Sequence, residues 1–162
     1  MNVVIIFAGL AIVLFTAAFV TRRRFGLLGL ALAAGSILSS LWGFDAGLVV
    51  SSMGIFPSGS LTNAVTLSLI VLLPSILLLL HGHTYKDFIS RAIGSLMFAL
   101  LALAFLVQPL GGVLPLDGIG MNVYTWLVQY KDVIISVGLI LAVVDLFFTK
   151  PAVPLREHKS KR

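Results

Sequence analysis

The chain has no cysteine, which excludes disulfides, thiolate zinc sites and cysteine nucleophiles. It is also poor in charge. Of its 162 residues, 10% are charged and 59% hydrophobic, whereas a soluble domain carries about a quarter charged residues. A mean hydropathy of +1.12 leaves too little polar surface to cover a domain in water. No phosphate-binding glycine loop, nucleophile elbow or His-Glu-x-x-His signature occurs. Serines are common, but none has a base that the sequence places to activate it. No enzymatic activity and no cofactor are therefore expected. The first apolar stretch also lacks the preceding positive charge of a cleavable signal. Met1 and Asn2 lead straight into it, and Arg22, Arg23 and Arg24 follow, so it is expected to be retained.

What is present is a series of apolar runs. A helix crossing the hydrocarbon core needs about 20 predominantly apolar residues. Five segments approach this: Asn2–Val20, Phe25–Trp42, Ala64–Leu80, Ala92 to about Leu110, and Val133–Phe148. The reading is an all-α integral membrane protein of about five transmembrane helices. Residues 1–149 form one transmembrane domain and 150–162 a basic tail, interrupted by Pro151 and Pro154. The Thr21–Arg24 turn predicts an antiparallel hairpin of the first two spans.

Two connections are long. In the first, near 43–63, Gly43, Gly47, Gly54, Pro57 and Gly59 interrupt a stretch too short to span. It is either a re-entrant or interfacial segment or a loop on the headgroups. The second covers 111–132. It opens with Gly111, Gly112, Pro115 and Gly118 as turn formers. Tyr124, Trp126 and Tyr130 follow as interfacial anchors.

The net charge is +5 and the isoelectric point about 10.0. The charges stand at the ends of the apolar runs. They therefore point to orientation and to anionic lipid headgroups, not to nucleic acid. With Arg22–Arg24 cytoplasmic, Lys86, Arg91, Lys150, Arg156, Lys159, Lys161 and Arg162 fall on the same side. Of the 11 basic residues, Lys131 alone falls opposite. The positive-inside rule then places the N-terminus outside and the C-terminus in the cytoplasm.

A few residues stand out inside the spans. Asp145 is the one carboxylate within a predicted span, and such a group raises a functional question by default. It either lines a pathway or contacts a partner, or, near the cytoplasmic boundary, it reaches headgroup water or pairs with Lys150 or a neighbouring helix's arginine. Asp145→Asn is expected to fold at least as well as the parent, because it removes a charge held near hydrocarbon. Pro74 breaks the hydrogen-bond ladder of the third span, as a hinge or as a static kink, with Ser75 or a neighbouring helix meeting the freed carbonyl. On the second span, Ala31, Gly35 and Ser39 recur every fourth residue, and Gly26, Gly29 and Ala33 add to the small surface. This spacing lets backbones approach closely, within one chain or in a homo-oligomer. His81 and His83, near Asp87, lack the further ligands a zinc site requires, so no metal is expected. Asp87 and Arg91 stand at i,i+4, a favourable helix-surface pair.

The arrangement resembles the colicin V production protein family of bacterial inner-membrane proteins. The likeness rests on a first span, the basic turn Arg22-Arg23-Arg24-Phe25-Gly26 with Gly29 following, and Arg91-Ala92-Ile93-Gly94 opening a later span. It covers roughly residues 1–110. The acidic residue that the family carries near its N-terminus is missing, and the fifth span is extra. The resemblance implies a plasma-membrane (inner-membrane) protein with an accessory role in secretion or envelope processes and no catalytic residues. Independently of it, the uncharged spans and the small-residue face favour a non-enzymatic protein acting through helix–helix contacts. Its partners would be the lipid bilayer and a membrane protein or further copies of itself. The alternative is a small oligomeric channel or transporter subunit, favoured by Pro74, Asp145 and a re-entrant 43–63.

Overall fold

The computed structural model describes residues 3–53, 59–80, 88–114 and 118–148. Five helices account for most of them: α1 (Val3–Thr21), α2 (Phe25–Ser52), α3 (Ser60–Leu80), α4 (Phe88–Gly111) and α5 (Ile119–Phe148). Four of these, α1 to α4, are long and apolar enough to cross a membrane. α5 is long enough too, but it carries Lys131, Asp132 and Asp145.

α4 is the hub. It packs against each of the other four helices and supplies the fully buried Phe98, Leu101, Leu106 and Val107. Around it the helices alternate in direction. Phe19 of α1 meets Phe88 and Arg91 of α4 at one end, and Phe7 packs with Leu103 and Val107 towards the other. α3 runs back along α2, with Ser75 at Leu28, Val71 at Gly35, Leu67 at Gly43 and Asn63 at Gly47. α5 runs back along α4, with Gly138 at Leu101 and Lys131 at Gln108. Arg22–Arg24, Arg91 and the C-terminus of α5 thus share one end, and Lys131 lies at the other.

Three expectations change. The turn between α1 and α2 reverses the chain as expected, since α1 runs antiparallel to α4 and α2 antiparallel to α5, but among the described residues the backbones of the two helices do not pack against each other. In lipid no hydrophobic force draws consecutive apolar helices together, so fit decides the neighbour. The Leu14 and Ala18 face of α1 fits Phe98, Ala99 and Ala102 of α4. The turn itself is made by Arg22 at φ 56, the left-handed conformation in which helices commonly terminate.

Second, 43–63 contains no re-entrant segment in its described part. α2 continues unbroken to Ser52, about 42 Å at 1.5 Å per residue. Gly43 and Gly47 do not break it, because α3 fills the space a side chain would take. A Cβ on Gly43 would collide with the Leu67 side chain, and one on Gly47 would lie 3.1 Å from Asn63 Oδ1. Residues 54–58 lie outside the described set.

Third, α5 begins at Ile119, so the aromatic stretch is part of one continuous helix. Gly111 ends α4, and Gly118 at φ +55 leads into α5, where the turn formers predicted a reversal. Tyr124 turns inward, its hydroxyl against Gly111. Trp126 and Tyr130 face out and pack on each other at 5.0 Å.

Candidate functional site at the arginine end

The helix termini at this end need partners, because the first N–H groups and last C=O groups of a helix have none within it. The N-cap position of α2 is Arg24, which makes no side-chain capping bond. The cap comes from another helix. The Gly26 backbone N–H donates to Asp145 Oδ2 of α5 at 2.9 Å. A carboxylate at a helix N-terminus also faces the positive end of the helix dipole. Gly26 permits this approach. A Cβ there would lie 2.5 Å from the Ala142 carbonyl oxygen, 2.8 Å from Leu146 Cγ and 3.0 Å from Asp145 Oδ2 itself.

The opposite terminus, that of α3, is closed by a cation. Arg23 Nε donates to the Leu79 carbonyl and its terminal NH2 group to the Leu80 carbonyl, both at 2.9 Å. Positive charge at a helix C-terminus matches the dipole, and the planar guanidinium reaches two carbonyls at once. Of the three arginines read as lipid-facing, Arg22 is exposed, Arg23 and Arg24 are half-buried, and Arg23 is committed to α3. Arg91 adds a fourth guanidinium. It lies over the Phe19 ring at 3.6 Å from the centroid, with Phe88 edge-on to Phe19, a cation–π arrangement. Its expected neighbour Asp87 lies outside the described residues, as do His81, His83 and the tail from Lys150.

The other singled-out residues lie along the α2–α3 seam. A Cβ on Gly35 would land on the Val71 carbonyl oxygen, so the two backbones touch there. Ala31 is buried beside it, and Ser39 is half-buried at the edge of the seam. Pro74 lies inside α3, which continues through it to Leu80. The Ser75 hydroxyl does not fold back onto α3 but donates across to the Leu28 carbonyl of α2 at 3.2 Å.

The sequence thus pointed to Asp145, Gly35 and the arginine turn, and the fold brings Asp145 and that turn together. It missed the receiving sites. Gly26 as the seat of Asp145, and Arg23 as the cap of α3, depend on neighbours that are remote in sequence. One signal was available: Gly138 and Ala142, four residues apart, mark the face of α5 that packs on Leu101, Gly26 and Gly29. No family model, curated protein or solved structure matches the chain.

Proposed function

We propose that the chain is a non-enzymatic membrane protein of five spans that acts through helix–helix contacts, as an accessory, scaffold or assembly factor. The observation that carries this reading is the engagement of Asp145. The carboxylate that would line an ion route is instead bonded to the backbone of α2. Towards the middle of the bundle, Leu28, Leu32, Phe98 and Leu101 are fully buried and fill the section between the two ends. A conducting protein would need a route between copies rather than through one.

The fifth span belongs to the same proposal. Val133, Val137, Ile140, Val144, Phe147 and Phe148 of α5 are all exposed. Their helical spacing forms one outward apolar stripe, a surface suited to lipid. With Arg22–Arg24 and Arg91 at the end where α5 finishes, the charge bias supports a cytoplasmic C-terminus and an external N-terminus. Arg22, exposed at that end, is placed to meet anionic headgroups. A bacterial inner-membrane protein serving secretion or envelope assembly, as the colicin V production resemblance implies, fits this description.

The test is purification of the full chain in mild detergent, with identification of co-purifying proteins and ion flux measured after reconstitution in liposomes. The expected result is a defined hetero-complex and no flux. A lone symmetric oligomer that conducts ions would overturn the reading. Reporter fusions after residues 24 and 162 should both report cytoplasm, and one at Ser58 the outside.

A further inference from the structure

At the end remote from the arginines, α2, α3 and α4 diverge around a cleft of about 500 Å³, within the size range of small-molecule sites. Its polar lining comes from Ser36, Ser39 and Ser40 on α2, Ser60 and Asn63 on α3 and Gln108 on α4. No Asp, Glu, Lys, Arg or His is among the lining residues. Counting along α2 from Phe25 at 1.5 Å per residue, Ser36 lies about 16 Å in, about half of a hydrocarbon core roughly 30 Å thick. The cleft therefore brings hydrogen-bonding groups from the headgroup level to mid-membrane depth, where polar groups without partners are costly.

Gln108 is engaged, its Oε1 accepting from Lys131 Nζ at 3.0 Å, but not all of these groups are used up by the protein. Thr66, Ser95 and Ser136 each return their hydroxyl to the carbonyl four residues back, the usual way a helical hydroxyl is satisfied. Ser36 and Ser39 make no hydrogen bond to any described residue, whereas Ser40 bonds the Ile37 carbonyl. Pro109 adds an acceptor. Lacking an N–H, it deprives the Phe105 carbonyl of its helical donor, and both residues border the cleft. The Phe105 side chain supplies an apolar wall. Nearby, the Ser68 hydroxyl on α3 is buried with no partner, one turn from the cleft residue Ala64.

We propose that this cleft binds a neutral polyhydroxylated group. Hydroxyls and amides present both donors and acceptors, which matches a sugar or polyol. No carboxylate lines the cleft and the charge bonded to Gln108, that of Lys131, is positive, which disfavours a cation that would shed water without a counter-charge. The aromatic wall suits the C–H face of a saturated ring. The group can come from a free polyol or from a glycolipid headgroup, because Gln108, near the end of α4, stands at headgroup level.

The probes are methyl glucoside, added to the full chain in a detergent without sugar, and a glucosyl diacylglycerol, added at a few per cent to phosphatidylcholine vesicles holding the protein. The readouts are melting temperature and saturation-transfer NMR from protein to sugar protons. The expected result is a saturable rise in melting temperature with at least one probe. Affinity should weaken at least tenfold in the Ser36→Ala, Ser39→Ala double variant, whose melting temperature without probe should match the parent's. Single Ser39→Ala serves if the double variant folds poorly. A response to methyl glucoside assigns a free polyol; a response to the lipid alone assigns a headgroup. No saturable response to either probe, or one that survives unchanged in the variants, overturns the proposal.

Discussion

The arginine end and the cleft end differ in what their polar groups do. At the first, Asp145 closes the N-terminus of α2 and Arg23 the C-terminus of α3, so charge is matched to helix dipoles and bonded to backbone. At the second, Ser36 and Ser39 point at no described partner, and a cleft opens beside them. Between the two, α2 and α3 touch backbone to backbone at Gly35. The difference teaches that polar side chains in one small helical bundle serve two purposes. Bonded to helix ends they hold the structure; left unbonded in a cleft they are available to something else. Substitutions that add bulk to the seam or remove the caps should therefore cost stability, and those at the cleft should not.

The largest effect is expected at the seam. Gly35→Leu forces a side chain onto the Val71 carbonyl, where backbone would have to move rather than a flexible side chain. Overpacking typically costs 1–3 kcal/mol and occasionally more, and about 3 kcal/mol is expected here. The measurement is folded yield and unfolding in mixed micelles. Unchanged stability would mean that α2 and α3 do not meet at this glycine.

Gly26→Ala comes next. Its Cβ would lie 2.5 Å from the Ala142 carbonyl oxygen, so α5 must move away and Asp145 with it. A loss of about 2 kcal/mol is expected from the overpacking, and further removal of Asp145 should then add little. Full additivity of Gly26→Ala and Asp145→Ala in a double-mutant cycle would show that the two sites are not coupled.

Much of this was legible in the sequence. The start of α2 at Phe25 and the end of α3 at Leu80 follow from the basic turn and from where the apolar run stops. The small face of α2 follows from its four-residue spacing. What could not be read depends on neighbours. Gly43 and Gly47 look like breakers until α3 occupies their missing side chains. The pairing of α1 with α4 rather than α2 is decided by surface fit between elements some 70 residues apart. Asp145 was visible as an oddity, but one of its partners is the Gly26 backbone N–H, which no side-chain pattern marks.

That partner revises the expectation for Asp145→Asn. Relief from holding a charge near hydrocarbon is offset by the loss of charge at a helix N-terminus, worth about 0.3–1 kcal/mol and up to roughly 2 when partly buried. Asparagine keeps an acceptor oxygen, so Asp145→Asn should lose about 0.5–1 kcal/mol, and Asp145→Ala about 1–2 kcal/mol, as for other lost caps. Equal melting temperatures for the alanine variant and the parent would remove Asp145 from the stabilising end and reopen the conducting alternative.

The smallest effects separate the two kinds of serine. Ser75 is fully buried and bonded across the seam to Leu28, and interhelical hydrogen bonds in membrane proteins average about 0.6 kcal/mol. Ser75→Ala should lose that amount, because the Leu28 carbonyl keeps its own helical donor and is not orphaned. Ser36 and Ser39 have no such bond, so Ser36→Ala and Ser39→Ala should each fall within about 0.5 kcal/mol of the parent, the range of substitutions that break no contact. The three variants change the same atoms by the same chemistry, so differences in helix propensity between serine and alanine largely cancel among them. A cost at Ser36 or Ser39 equal to or greater than that at Ser75 would mean that their hydroxyls are held by the fold after all. The cleft end would then be built like the arginine end rather than in contrast to it.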